Sequence, residues 1–318
     1  MAIVVAFPIP TAIEAELSKH GEVRVWREEG PMPKATLLEW LEGARGLLTT
    51  LTNPVDLDVL EAAPLLKVIS TVSVGVDHID VEAAASRRIT VGHTPGVLTD
   101  STADLALGLM LAVRRRIAEG HELVSGGAWG SEWKTNFMLG QDLSHATVGL
   151  IGLGPIAQAV ASRLKAFSGV RILGWNRTPK ELPDIEMMPL DALIADSDIV
   201  SLHVALTDDT AGLMSRSRLA AMHDGATLIN TARGRLVDEL ALSEELASGR
   251  LSAGLDVYSE EPLPSNHPLI GVPNAVLVPH LGSATKRTRR AMFELAIRNL
   301  IAGIKERDLP AELVLRSS

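Results

Sequence analysis

The sequence contains no cysteine. A disulfide framework, a thiol nucleophile and a cysteine-based zinc site are therefore excluded. There is no charge-free run of about eighteen apolar residues, so no membrane-spanning helix is expected. Basic residues are in deficit, with 30 Lys and Arg against 39 Asp and Glu and a formal net charge of −9. A nucleic-acid-binding protein would more often carry a basic face, so neither DNA nor RNA is expected as a partner. The opening MAIVVAFPIP lacks a basic n-region and a small-residue cleavage site. It reads as a first strand rather than a signal peptide, and the expected location is the cytoplasm. Internal repeats and low-complexity segments are also missing.

What is present is an ordinary globular composition, 46% hydrophobic and 22% charged over 318 residues. That length suggests about two domains and can bury a large core without staples. The first hundred residues alternate short apolar runs with helical patterns. Ala2 to Phe7, Gly46 to Thr49 and Leu66 to Ser70 read as strands; Thr11 to Ser18, Asp56 to Ala62 and Val81 to Arg88 read as helices. The alternation predicts a parallel α/β sheet. Ser101 and Asp104 have capping-box spacing and open a helix over Asp100 to Arg116. Its body, ADLALGLMLAV, is apolar nearly all round, which predicts a helix buried between other elements at a domain junction. Gly126 to Gly140, rich in glycine and aromatic residues, reads as a long loop. From Thr147 the alternation restarts with TVGLIGL, VRILGW, DIVSLHV, ATLINT, AGLDV and AVLVP, near-continuous apolar runs of the kind found in central parallel strands. The last segment is a helix after Ser283. Phe293, Ile297, Leu300, Ile301 and Ile304 mark its apolar face, and Pro310 follows its end.

The chemistry begins at GLIGLGPIAQAV, where Gly152, Gly154 and Ala157 fit G-x-G-x-x-G/A. A glycine-rich turn without a ligand would match as well, but this one follows a strand and opens a helix, the context a dinucleotide site requires. Gly152 permits the tight turn, Gly154 admits a pyrophosphate to the backbone, and Ala157 lets helix and strand pack closely. The next strand ends in ILGWNRTPK. An NAD-binding fold places there the acid that holds the ribose 2′-hydroxyl. Asn176 occupies that slot, and Arg177 and Thr178 follow. No acid is present to repel a 2′-phosphate, and Arg177 offers a planar donor fork suited to one. NADP(H) is therefore the expected cofactor, with NAD(H) as the alternative if the acid comes from elsewhere, such as Asp184.

Three further strand ends carry candidate residues: Arg233 in LINTARG, Glu261 in GLDVYSEEP, and His280 in VLVPHLGS. Each alone has a plainer reading: a structural ion pair, turn chemistry before proline, a satisfied loop histidine. Beside a nicotinamide site they make a 2-keto-acid reductase set. His can protonate a developing alkoxide near neutral pH, a carboxylate beside it favours the protonated ring, and Arg can grip a carboxylate bidentately. The other histidines, including His78, His93, His203 and His223, are scattered. DHID at Asp77 to Asp80 imitates a metal cluster, but no other ligand spacing supports one and no metal is expected.

At these residues the sequence resembles the D-isomer-specific 2-hydroxyacid dehydrogenases, through STVSVGVDHID, HTPGVLTDSTADLALGLML, GLIGLGPIAQAVASRLKAF, LINTARG, ASGRLSAGLDV, EEPLPSNHPL and VPHLGSATKRTR. The resemblance covers nearly the whole chain. It implies two Rossmann-like domains with parallel sheets, one flavodoxin-like and one NAD(P)-binding, and an active site in the interdomain cleft. Residues 1–98 and 283–318 would form the discontinuous substrate domain, and residues 99–282 the inserted NAD(P)-binding domain. Position by position, the resemblance makes Arg233 the substrate-carboxylate arginine, His280 the proton donor and Glu261 its carboxylate partner. The N–H groups of Val74 and Gly75 help hold the substrate, with Ser283 as a further pocket residue. Gly152, Gly154, Pro155, Ile156, Asn176, Arg177, Thr178, Thr231, Asp256, His280 and Gly282 line the cofactor. The family is dimeric through its cofactor domain, and Trp133 (or Trp129, since the loop spacing departs here) reaches the partner's pocket. The activity implied is NADPH-dependent reduction of glyoxylate and hydroxypyruvate. The alternatives are a relative acting on D-lactate or phosphoglycerate, or a nucleotide-sensing corepressor-like binding protein on the same fold.

Overall fold

The computed structural model describes residues 2–130, 134–306 and 314–315. Its chain divides into two units, Met1–Leu98 with Thr285–Ser318, and Thr99–Ala284. The second break falls after Ala284, so Ser283 belongs to the middle unit. The first stretch contains β1 (Ala2–Val5), α1 (Thr11–Ser18), β2 (Glu22–Val25), α2 (Lys34–Leu41), β3 (Ala44–Thr49), α3 (Leu57–Glu61), β4 (Val68–Thr71), α4 (Val81–Ser86) and β5 (Thr90–Gly92). The middle unit opens with α5 (Thr99–Arg114) and α6 (Ile117–Ser125). It continues with β6 (Thr147–Ile151), α7 (Pro155–Leu164), β7 (Arg171–Trp175), β8 (Glu186–Met187), α8 (Leu190–Asp196), β9 (Ile199–Leu202) and α9 (Arg216–Ala221). β10 (Thr227–Asn230), a 3-10 turn at Gly234–Leu236, α10 (Glu239–Ala247), β11 (Ser252–Leu255) and β12 (Ala275–Leu277) complete it. The chain then returns to the first unit through α11 (Lys286–Ile304) and β13 (Val314–Leu315).

In the first unit the sheet runs β13-β5-β4-β3-β1-β2, parallel except for β13, which pairs antiparallel with β5. Leaving out β13, this is the 2-1-3-4-5 order of flavodoxin-like sheets. Side-chain oxygens start its helices: Asp56 accepts from the Val59 N–H at 3.2 Å and Asp80 from the Ala83 N–H at 2.8 Å, each satisfying a free first-turn donor. The apolar face expected on the last helix is turned. Its buried stripe is Thr288, Met292, Leu295, Ala296, Asn299, Leu300, Gly303 and Ile304, leaving Phe293, Ile297 and Ile301 only half-buried. Small and polar residues set this face. Ser70 Oγ donates to the Ala296 carbonyl at 2.8 Å, and Asn299 Nδ2 donates to that of His93 at 2.9 Å. Pro310 lies outside the described residues.

The middle unit holds a seven-stranded, all-parallel sheet in the order β12-β11-β10-β9-β6-β7-β8. This is the doubly wound dinucleotide-binding order, extended by one edge strand, with its reversal between β6 and β9. β9 and β10 are buried at every residue, which explains why they are apolar but for Ser201, Thr227 and Asn230. Thr99, two residues before Ser101, begins α5, and Asp104 is not a cap: its Oδ1 meets Arg163 Nε of α7 at 2.6 Å. Of the helix body only Asp104 and Gly108 are exposed, because α5 packs on α7, β10 and β11. Sequence reading passed over β2, α2 and α6. The edge strand β2 buries only Val25, and α6 starts from a left-handed Arg116 (φ 53°) without a side-chain cap. Gly126–Gly130 and Lys134–Gly140 contain no helix or strand, as the loop reading expects.

Met110 of α5 is completely buried against this sheet. Met110→Ala is expected to lower the unfolding free energy by about 2–5 kcal/mol, the range for truncating a buried methionine; urea unfolding followed by circular dichroism measures it.

Candidate active site

β6 is the strand at which the sheet order reverses, the place where doubly wound sheets bind ligands. It ends in the glycine turn. Gly152 has φ 88°, and a Cβ there would stand 2.8 Å from the His203 carbonyl oxygen and 2.7 Å from Val204 Cγ1. Only glycine satisfies both the left-handed backbone and this contact. Gly154 is the N-cap of α7 and Pro155 its first residue, while Ala157 is buried against the sheet. A Cβ on Gly154 would meet nothing within 4 Å. Among the described residues the N–H groups of Gly154 and Ile156 donate to no protein group. A helix start with open amides and clear space before it fits a phosphate group.

The strand beside it, β7, leads into Asn176. Its Oδ1 accepts from the Leu153 N–H at 3.0 Å, and its Nδ2 donates to the Thr178 carbonyl at 2.7 Å. Asn176 therefore ties the glycine turn to the next loop. Arg177 is exposed and stands 3.6 Å from Asp209, also exposed, a pair that water screens heavily. Asp184 is bonded to Lys165 at 2.6 Å. Sequence reasoning missed Lys180, whose ammonium donates to the Leu153 carbonyl at 3.1 Å and so places a second cation beside Asn176 and the glycine turn. Its presence in the same nine-residue stretch was the available signal.

Arg233, Glu261 and His280 all lie in this unit, each in a segment following a strand's carboxyl end. Arg233 follows β10, and its Nη1 donates to the Ala232 carbonyl at 2.8 Å. Glu261 and His280 meet directly: Oε2 to Nδ1 is 2.7 Å. The other oxygen of Glu261 accepts from the Tyr258 N–H at 3.0 Å. Burial opposes the Glu261 charge, but the hydrogen bond and charge of His280, the Tyr258 amide and the charge of Arg233 prevail and hold the carboxyl below its ordinary value. Tyr258 itself is pushed up to about 12, chiefly by burial, and shares its hydroxyl proton between the carbonyls of Leu255 (3.2 Å) and Val278 (3.1 Å).

His280 has φ 51°, a left-handed backbone uncommon outside glycine that histidine adopts more readily than most residues. Asp256 is buried beneath it. His280 N–H donates to the Asp256 carbonyl at 3.0 Å, Leu281 N–H to its Oδ1 at 2.5 Å, and Gly282 N–H to its Oδ2 at 2.9 Å. Burial raises the Asp256 carboxyl above its ordinary value, against these two amides. Thr102 Oγ1 then donates to the Gly282 carbonyl at 3.1 Å. Ser283 is half-buried beyond this turn. Thr231 Oγ1, between β10 and Arg233, is buried and has no protein partner, the kind of orphan that a bound amide or water would satisfy.

In the first unit, Val74 and Gly75 follow β4. Their carbonyls are taken, by His93 Nδ1 at 2.9 Å and by Ser73 Oγ at 2.7 Å. Their N–H groups donate to nothing among the described residues. His78 Nε2 lies 3.1 Å from Thr71 Oγ1, and Asp80 caps α4, so DHID has structural duties. Among the described residues no His, Cys, Asp and Glu side chains group as a metal site, and no helix is long and apolar enough to cross a membrane. Trp129 is exposed; Trp133 lies outside the described residues.

Comparison with known proteins gives the family. The profile of the family described as D-isomer specific 2-hydroxyacid dehydrogenase, NAD binding domain, matches residues 107–282. The mouse glyoxylate reductase/hydroxypyruvate reductase is 43% identical over 99% of this chain and 98% of its own, and the glyoxylate reductase of Thermofilum pendens is 47% identical over 90% and 86%. A crystal structure of the TT0316 protein from Thermus thermophilus superposes with a TM-score of 0.90 at 48% identity, covering 98% of this chain and 99% of that one. The chain belongs to the D-isomer-specific 2-hydroxyacid dehydrogenases, oxidoreductases with a nicotinamide-binding domain.

His203, which backs Gly152, is bonded to Ser201 Oγ at 2.9 Å, and desolvation pushes its imidazole down to about 4. The unfolded ring takes up a proton below about pH 6.5 and the folded ring only near pH 4, so stability must fall as pH drops through that window. Because the residue keeps some contact with solvent, the expected loss is about 1–3 kcal/mol rather than the full linkage value. His203→Gln should remove this component, which urea unfolding at pH 7, 5.5 and 4.5 detects.

Proposed function

We propose that this protein reduces glyoxylate and hydroxypyruvate to glycolate and D-glycerate, using NADPH. The observation that carries the reading is the 2.7 Å contact of His280 with Glu261, in the same unit as Arg233 and the open glycine turn. Relatives named for both keto acids support the substrates.

Glu261 stays ionised at neutral pH and accepts from Nδ1–H of His280, which fixes the ring and leaves Nε2 for the substrate. From Nε2 a proton passes to the carbonyl oxygen of the keto acid as that oxygen gains charge. Arg233 grips the substrate carboxylate and polarises the adjacent carbonyl. The resemblance gives the Val74 and Gly75 amides to the same carboxylate, and their lack of other acceptors supports it. Ser283 is a further pocket residue on this reading. Gly152, Gly154, Pro155 and Ile156 would hold the pyrophosphate, and Thr231, Asp256 and Gly282 would flank the nicotinamide. NADPH, when bound, supplies the hydride to C2 of the keto acid.

The cofactor preference rests on the absence of an acid at Asn176, on Arg177 and Thr178, and on Lys180 nearby. The protein would work as a cytoplasmic homodimer joined through the nucleotide-binding unit. Supporting that, the exposed apolar side chains Ile117, Val124, Trp129, Phe137 and Leu139 cluster in one stretch of that unit.

His280→Ala is expected to lower kcat by about 10²–10⁴, the range for losing a general acid, while NADPH binding, followed by its fluorescence, is kept. Near-parental turnover would refute the role. Parallel assays with NADPH and NADH test the cofactor: equal or better use of NADH sinks the preference. Arg177→Ala should lower the NADPH-to-NADH ratio of kcat/KM by roughly tenfold, the worth of one charge-assisted bond.

A further inference from the structure

Behind Glu261 lies a second carboxylate–histidine pair that the reaction does not touch. Glu239 is the first residue of α10, with Asp238 as its cap, and it is only 8% exposed. A charged carboxylate is rarely buried this far without partners. Here both of its oxygens are engaged. Oε1 accepts from the Ser259 N–H at 2.8 Å, Oε2 accepts from the Ser259 hydroxyl, and His267 Nε2 lies 3.4 Å from Oε2. His267 Nδ1 accepts from the Leu269 N–H at 3.3 Å, which leaves the ring N–H on Nε2, the nitrogen nearer Glu239.

The peptide that Glu239 holds, Tyr258–Ser259, directly follows the one that orients Glu261. Tyr258 N–H donates to Glu261 Oε1, and the next amide, Ser259 N–H, donates to Glu239 Oε1. This peptide also presses against Gly234, the residue after Arg233. A Cβ on Gly234 would stand 1.8 Å from the Tyr258 carbonyl carbon and 2.1 Å from the Ser259 nitrogen. No side chain fits there. The Tyr258–Ser259 peptide thus meets both the Arg233 turn and the Glu239 carboxylate.

We propose that Glu239, backed by His267, is a positioning residue for the Glu261–His280 pair, holding the Tyr258–Ser259 peptide against Gly234 so that Glu261 meets His280 in register with Arg233. His267 packs its Nε2 edge against the Glu239 carboxylate and keeps it turned toward Ser259. Glu239 acts through Glu261 and takes no part in proton transfer. The inference rests on the reading of His280 and Glu261 as the working pair.

The test compares the parent with Glu239→Gln, His267→Ala and Ser259→Ala. Glutamine keeps one oxygen for the Ser259 amide but loses the second acceptor and the charge. Four quantities are read: kcat and KM for the keto acid that the parent turns over, NADPH binding by fluorescence, the thermal midpoint, and the downfield proton resonance of His280 Nδ1–H, assigned by its loss in His280→Gln. Glu239→Gln is expected to lower kcat by roughly tenfold, with KM and NADPH binding within about twofold, and to broaden or remove the His280 resonance. His267→Ala should act in the same direction to a smaller extent. Ser259→Ala, which keeps the backbone donor, should stay near the parent. A lower thermal midpoint with unchanged kcat and an intact His280 resonance would reduce Glu239 to a structural residue and overturn the proposal. If Glu239→Gln does not fold, His267→Ala decides on the same readouts, and parental kcat with an intact resonance again overturns it. The resonance needs no substrate. A parent that fails to reduce glyoxylate but loses the His280 signal in Glu239→Gln would therefore refute the proposed activity and leave the positioning role standing.

Discussion

The working geometry depends on one buried carboxylate. Asp256 leaves β11 and immediately receives three backbone N–H groups, from His280 on its carbonyl and from Leu281 and Gly282 on its side chain. These bonds tie the ends of β11 and β12 together. They also hold His280 in a left-handed conformation that costs a non-glycine residue roughly 1–2 kcal/mol. Without the strap the backbone would relax to an ordinary conformation, and the imidazole would leave Glu261. Thr102 adds a fourth bond from α5, so a helix at the start of the unit helps fix a turn near its end.

The second constraint is steric. Gly234 lets the Arg233 turn lie directly on the Tyr258–Ser259 peptide, and Gly152 lets the nucleotide turn lie on the His203 carbonyl. Each of these glycines lets two segments remote in sequence share a space too small for a methyl group. The parallel sheet brings the strand ends to one side, but contact between their loops is made by residues that lack a side chain. The carboxylates Asp256 and Glu239 then fasten what the glycines allow to approach.

Much of this was legible in the sequence because its signals are local. Gly152, Gly154 and Ala157 announce their turn by composition alone, and Arg233 and Glu261 follow apolar runs that are central strands. The run before His280, read the same way, is β12, the half-buried edge strand, because apolar composition does not tell an edge from a centre. Glu239 was not legible. It opens ELALSEELASGR, which looks like a solvated helix, and only the arrival of Ser259 and His267 from elsewhere in the chain makes it a buried anchor. The buried face of α11 was misjudged for a related reason. Counting bulky apolar residues selects Phe293 and Ile297, whereas the sheet accepts Ala296, Asn299 and Gly303, whose small size or amide matches what stands opposite. Asp104, read as a cap, proved to be a tether to Arg163, since a carboxylate near a helix start serves either purpose and only the position of α7 decides.

Asn176 has a consequence for how cofactor choice can change over evolutionary time. Its side chain is needed as a donor and an acceptor at once, taking the Leu153 amide and giving to the Thr178 carbonyl. An amide does both, from two separate atoms, and a carboxylate cannot. An aspartate installed there to welcome a ribose hydroxyl would keep the first bond and set a negative oxygen against the second carbonyl. The slot at which related folds exchange one cofactor for another is thus occupied by a structural rivet. On the proposed reading, a change of cofactor would fall more easily on the exposed neighbours, Arg177 and Asp209, whose replacement leaves both bonds of Asn176 in place.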